Sequence, residues 1–266
     1  MSTIKLTTFK ANKILLTSKA KKAGRNNTGR ITVRHQGGGE KQFYRMINWT
    51  RNELKGVISN FEYDPNRSAL LAKLYHPEEK NSLQTSYILA PKGVKIFDEI
   101  TTYTSLTKNI ALAPGDRTLL ANFEVGDFIH AVETIPNQNP TFARSAGTFC
   151  QVLQHESKDY AKIRLPSGSQ RLISLQAKAT LGVVANEEHN LQILGKAGRS
   201  RWLNRRPSVR GVAMNPVDHP HGGGQGKTKG GRPSVTPWSL PTKGQPTRNM
   251  RKKNKLILTP RKSKRK

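Results

Sequence analysis

Charge in this chain is segregated along its length, and the segregation limits where a packed core can form. Residues 35–195 carry 17 Lys and Arg against 16 Asp and Glu, whereas residues 1–34 carry nine cations and no acid. Residues 196–266 carry 20 cations and one acid, Asp218. The near-neutral middle, roughly 160 residues, is long enough to bury a core as one large β domain or two small ones. The ends lack the apolar side chains that would offset the entropy of ordering them, so two polycationic arms are predicted that order against a partner. A formal charge of +29 makes that partner a polyanion, nucleic acid first and an anionic membrane surface second. No run of about 18 apolar residues and no amphipathic helix supports the membrane. One cysteine, Cys150, excludes an intramolecular disulfide and a Cys-based zinc site, fits a reducing compartment and is expected in the core. Residues 1–34 suit an RNA-binding arm better than an organelle presequence, because arginine is scarce before Arg25.

Within the middle, short apolar runs of strand length are cut by turn residues. Residues 56–63, 69–75, 86–89 and 94–97 form a first series, separated by the turn signals Asp64-Pro65-Asn66 and Pro91-Lys92-Gly93. After a connector over 111–117, a second series follows at 125–132, 147–153, 160–165 and 171–175. The clearest hairpin runs from Tyr160 to Leu165, turns at Pro166 to Ser169 and returns through Arg171 to Leu175. Its Ala161, Ile163 and Leu165 are expected inward, and its Lys162 and Arg164 outward. The pattern predicts an all-β fold of small barrel or sandwich type.

Residues suited to contact lie at the edges of this pattern. The stretch RGVAMNPVDHPHGGG, Arg210 to Gly224, has almost no hydrophobic periodicity. Pro216 and Pro220 stiffen it, and Gly222, Gly223 and Gly224 leave backbone bare for the approach of another backbone or a phosphate. Its polar groups are Asn215, Asp218, His219 and His221. A second triple glycine, Gly37, Gly38 and Gly39, follows His35 and is surrounded by Arg34, Lys41 and Arg45; a hinge and a phosphate cradle both fit it. Ile31 and Val33 alternate with Arg30, Thr32 and Arg34, which predicts a short half-buried strand with a basic face. Further on, Lys196, Arg199, Arg201, Arg205 and Arg206 flank Trp202, an aromatic able to stack on a base or ribose or to anchor the segment to a barrel. Arg67 on the 64–67 turn and Arg144 beside Ser145 are placed to meet a phosphate, and a plain turn and a plain loop explain them as well.

Asp218, His219 and His221 also invite a metal or acid–base reading. Two imidazoles two residues apart hold a metal only with ligands from elsewhere, and no Cys or His-rich segment supplies them. There is no nucleophile elbow, nucleotide loop or dinucleotide fingerprint. The expectation is no enzyme, no cofactor and no metal, with an RNA-processing enzyme using this trio as the runner-up.

The motifs GRNNTGRITVRHQGGG at 24–39, EYDPNRS at 62–68, YILAPKG at 87–93, ARSAG at 143–147, LGKAG at 194–198, the 210–224 stretch and TPW at 236–238 resemble one family. It is the universal large-subunit ribosomal protein number two, in its bacterial and organellar form. The resemblance implies an OB-fold barrel over 35–110, an SH3-like barrel over 111–195, and core-less basic extensions over 1–34 and 196–266 that thread into large-subunit rRNA. It implies as partners that rRNA, neighbouring large-subunit proteins and small-subunit rRNA at an intersubunit bridge, with roles in assembly and subunit association. It also places the loop from Asn215 to Gly224 toward the peptidyl-transferase region, and makes His219 an RNA contact. The expected rRNA contacts include Arg25 besides the residues named above. Departures from the family are a shorter stretch before Gly24, Glu40 where a histidine is frequent, and a 225–234 loop without the usual Glu. The divergent stretch 81–110 and the lack of a long presequence favour a mitochondrial ribosome over a plastid or bacterial one.

Overall fold

A computed structural model of the chain describes residues 12–51, 55–77, 84–106, 111–156, 159–226, 228, 230–244 and 254–261. The basic run over 262–266, most of that over 251–255, and residues 81–83 and 107–110 of the divergent stretch lie outside the described residues. The chain forms two compact units, one from residues 1–19, 42–193 and 255–266 and the other from residues 20–41 and 194–254.

The first unit is built from antiparallel strands. The short strands β1 (Leu16–Ser18) and β2 (Phe43–Arg45) pair with each other. A four-stranded sheet joins β3 (Lys55–Glu62), β4 (Leu71–Tyr75), β5 (Thr85–Leu89) and β6 (Glu99–Thr101) in the order β5-β4-β3-β6. It frames the OB-fold barrel. A seven-stranded sheet holds β7 (Arg117–Leu119), β8 (Phe128–His130), β9 (Cys150–His155), β10 (Tyr160–Arg164), β11 (Gln170–Ser174) and β12 (Lys178–Leu181). Its remaining strand is β13 (Ile257–Thr259), and the order is β13-β11-β10-β9-β8-β12-β7. This sheet forms the SH3-like barrel. The β10–β11 hairpin forms as expected, with Ala161 opposite Ile173 and Ile163 opposite Arg171; Ala161, Ile163 and Leu165 are buried, Lys162 is half-buried and Arg164 is exposed.

Three apolar clusters hold the unit together. One fills the seven-stranded barrel with Leu120, Phe123, Ile129, Val152, Ile163 and their neighbours, Cys150 among them. A second fills the four-stranded barrel around Ile58, Phe61, Leu74 and Ile88. The third combines Leu71, Tyr87 and Leu89 of the first barrel with Ala131 and Val184 of the second, and Leu15 from the basic N-terminal segment packs into it. Burying one such aliphatic side chain stabilises by about 1.5–3 kcal/mol, so Leu15 ties part of the segment read as core-less to the barrels.

Several elements differ from the sequence pattern. Residues 94–97 are not a strand. Asp98 accepts from the Lys95 amide at 2.7 Å, the chain turns there, and Phe97 stands 82% exposed at φ +74. Main-chain bonding to Ile58 of β3 begins at Phe97 and Asp98, at 2.8 and 3.0 Å, and leads into β6. Residues 31–33 are not a strand either, because the Thr32 and Val33 amides both donate to the Gly24 carbonyl, at 2.9 and 3.0 Å, and close a turn. The connector over 111–117 ends inside β7, where Arg117 is fully buried and donates to Glu133 at 2.6 Å. Strand β13 emerges from the basic tail because the edge of β11 offers open ladder positions at Gln170 and Arg171.

Candidate nucleic-acid interface

All but three of the expected contact residues fall in the second unit, which carries 20 Lys and Arg against two acids, Glu40 and Asp218, a net of +18. None of the three apolar clusters draws on it. Main-chain bonding between its two segments holds it instead. Gly37 donates to the Asn204 carbonyl at 2.9 Å, Glu40 to the Trp202 carbonyl at 3.1 Å, and Arg206 donates back to the His35 carbonyl at 3.0 Å. Gly39 sits at φ +55, and a Cβ there would overlap the Asn204 side chain and come within 2.7 Å of the Trp202 carbonyl oxygen. This triple glycine therefore admits the chain's own backbone, and Gly38 alone faces open space. Upstream, Asn26 Oδ1 accepts from the amides of Thr28 and Arg30, both at 3.0 Å, a side-chain turn that fixes the path between Arg25 and Ile31.

The frame displays cations. A six-residue helix, α1 (Ala197–Trp202), carries Arg199 and Arg201, and Arg205, Arg206 and Arg210 follow it, all exposed. Lys196 Nζ lies 4.7 Å from the centre of the half-exposed Trp202 ring, and the Arg34 guanidinium lies 5.2 Å from that of Trp238. These contacts position the cations without neutralising them. Four ion pairs form among the described residues, Arg45–Glu62, Arg67–Asp64, Lys92–Glu187 and Arg117–Glu133, and all lie in the first unit. Arg25, Arg30, Arg34, Arg199, Arg201, Arg205, Arg206 and Arg210 have no carboxylate partner among the described residues. Such an array suits phosphates, which accept the guanidinium fork in bidentate fashion.

The 210–224 stretch is folded by its histidines. A 3₁₀ turn over Gly211–Ala213 leads to Asn215, whose carbonyl accepts from the Asp218 and His219 amides at 3.0 and 3.3 Å. The chain then doubles back, Gly222 donating to His219 at 2.8 Å and Gly223 to Met214 at 3.0 Å. A Cβ at Gly222 would strike the Asn215 carbonyl, so only glycine fits this crossing. His219 is 8% exposed, and its Nδ1 accepts from the His221 amide at 3.0 Å, which puts the ring proton on Nε2. The two rings meet edge to face with centres 5.0 Å apart, and His221 Nε2 lies 3.2 Å from the Pro233 carbonyl oxygen. Asp218 is exposed and pairs with neither imidazole among the described residues. The histidines brace a projecting tip, at which Val217 is 90% exposed. No group of His, Cys, Asp or Glu among the described residues could hold a metal ion.

Three expected contact residues belong to the first unit. Arg45 Nε is 3.8 Å from Glu62, and Arg67 donates to the buried Asp64 at 2.6 Å while its guanidinium lies 5.6 Å from the Tyr44 ring centre. Arg67 is therefore occupied within the fold, whereas Arg45 lies beside a carboxylate with its Nε making no hydrogen bond. Arg144 is exposed over Trp49. Tyr87 donates to Glu62 at 2.7 Å, and burial, then the adjacent carboxylate, push its phenol well above the ordinary range. In the second barrel, burial drives the His130 imidazole from 6.5 down to about 3 and the Cys150 thiol up to about 12. Neither His130 nor the Arg117–Glu133 pair carries a local signal in the sequence.

Comparison with known proteins gives concordant matches. Residues 12–102 match the family model described as Ribosomal Proteins L2, RNA binding N-terminal domain, and residues 113–239 match Ribosomal Proteins L2, C-terminal domain. The chain is 49% identical over 238 residues to the large ribosomal subunit protein uL2m of Reclinomonas americana, covering 89% of this chain and 83% of that protein. It is also 49% identical over 256 residues to the large ribosomal subunit protein uL2 of Wolbachia pipientis subsp. Culex pipiens, covering 96% and 89% respectively.

Proposed function

The chain belongs to the ribosomal protein L2 family, and from that premise we propose that its second unit is the principal rRNA anchor, with residues 215–224 directed toward the peptidyl-transferase region. The protein is a structural, non-enzymatic component of the large ribosomal subunit that binds rRNA among neighbouring large-subunit proteins. The observation that carries the anchor assignment is the set of exposed arginines without carboxylate partners on a frame held by main-chain bonds. Lysines and arginines displace counterions from convergent phosphates. The rigid, exposed tip at Val217 supports the placement of the loop. We further assign the protein a part in subunit assembly and in subunit association through small-subunit rRNA at an intersubunit bridge. The mitochondrial matrix is the proposed location, supported by the similarity to uL2m; an equal identity to Wolbachia uL2 supports a bacterial ribosome as the second reading.

Gradient sedimentation of an organelle or cell lysate tests the anchor. The chain is expected with the large subunit at low salt and free at high salt; a chain that runs as a free monomer at low salt refutes it. The loop placement has its own test. Cys150 is buried, so Val217→Cys adds a uniquely accessible thiol, and a radical source tethered there should cleave rRNA at the reaction centre. Cleavage confined to remote rRNA would refute the placement.

A further inference from the structure

We infer that a cleft in the second unit receives a single nucleotide extruded from the rRNA, an inference that rests on the rRNA-binding reading above. The cleft has a volume of about 260 Å³ and is walled by Arg25, Ile31, Val33, Arg34, Gln36 and Arg206, with His35 completing the wall. Its chemistry is mixed in a way that a site for backbone phosphate alone does not require. Arg25, Arg34 and Arg206 meet the needs of a phosphate. Ile31 and Val33, however, are 63% and 49% exposed and belong to no apolar cluster. A duplex backbone has no apolar face to cover them. An unstacked base does, because extrusion strips its ring faces of their stacking partners.

The remaining groups fit the same ligand. Gln36 offers both a donor and an acceptor to a base edge, and its backbone is held by bridging to Arg205. The Arg34 guanidinium is already positioned over Trp238, 5.2 Å from the ring centre. The turn in which Thr32 and Val33 donate to Gly24 keeps Ile31 and Val33 out of any sheet and on the cleft wall. The alternation over residues 30–34 thus serves a pocket.

The test uses large subunits assembled with the full-length chain, either wild type or carrying Ile31→Ser with Val33→Ser, probed by base-specific chemical modification of the rRNA. One nucleotide protected by the wild-type chain is expected to become about tenfold more reactive in the double variant, as loss of the apolar wall releases the base. Ile31→Leu, which keeps the wall apolar, is expected to retain the protection. Identical base reactivity in wild type and double variant, with both chains bound to the subunit, would mean that the cleft holds backbone phosphate only and would overturn the inference. A wild-type chain absent from the subunit would instead overturn the ribosomal reading on which it rests.

Discussion

The two units of this protein solve the problem of holding a chain together in opposite ways. The barrel unit buries apolar clusters and pairs its internal charges, as at Arg117–Glu133 and Arg67–Asp64. The 20–41/194–254 unit has no such cluster among its described residues, and lines its two segments up through main-chain hydrogen bonds and glycines that tolerate close approach. In the barrels a cation is part of the fold. In the basic unit the arginine side chains named above stand without carboxylate partners among the described residues, and the fold is made by main-chain groups. Charge therefore marks function in one region and architecture in the other.

Removing cations should separate the two most sharply. Arg199, Arg201, Arg205 and Arg210, each changed to Gln, should together weaken rRNA affinity by on the order of ten-thousandfold, since charged hydrogen bonds contribute about 1.5–3 kcal/mol each. The same number of Lys→Gln changes on the barrels, at Lys73, Lys95, Lys162 and Lys178, should change it by less than about tenfold. Filter binding at fixed salt reads both, and comparable losses would erase the distinction.

The buried pair tests the converse. Glu133→Ala leaves the Arg117 guanidinium uncompensated in the second barrel and should destabilise that barrel by about 3–5 kcal/mol. Urea unfolding followed by far-UV circular dichroism measures it; a change below about 1 kcal/mol would show that Arg117 reaches solvent instead.

A smaller effect separates neighbouring glycines. Gly39→Ala places a methyl against Asn204 and Trp202 at positive φ and should cost the basic unit about 1–3 kcal/mol, lowering rRNA affinity while barrel unfolding stays unchanged. Gly38→Ala faces open space and should leave affinity unchanged. Equal effects at the two positions would mean that residues 37–39 are a hinge.

A further effect is a pH dependence that resides in the barrels. His130 is buried and neutral, with Nδ1 donating to the Gly182 carbonyl at 2.9 Å and its folded value near 3 against an ordinary 6.5. The unfolded chain therefore takes up the proton first as pH falls. The stability contribution is fully present above about 6.5 and is lost progressively toward about 3. His130→Asn keeps a donor toward Gly182 and removes the proton acceptor, so its acid unfolding should occur at lower pH than that of the wild type. A circular dichroism titration with coincident curves would exclude His130 as the titrating group.

Sequence pattern alone carried much of this. The alternation over residues 160–165 and 171–175 specified a hairpin and its inward face, because a period of two leaves no choice of side once one face is apolar. The charge segregation marked the stretch that supplies most of the apolar core, although Leu15 and β13 join the barrels from the basic ends, and the glycine and histidine motifs marked the family. Tertiary structure decided the rest, and the reason is common to each case. That Arg117 is buried, that β13 extends a sheet from within a basic tail, and that residues 35–40 bond to residues 202–206 all depend on partners distant in sequence. Local composition determines which groups need partners. Only the closed fold determines whether the protein supplies them, as it does for Arg67 and Arg117, or leaves them exposed without a carboxylate partner among the described residues, as at Arg199 and Arg201.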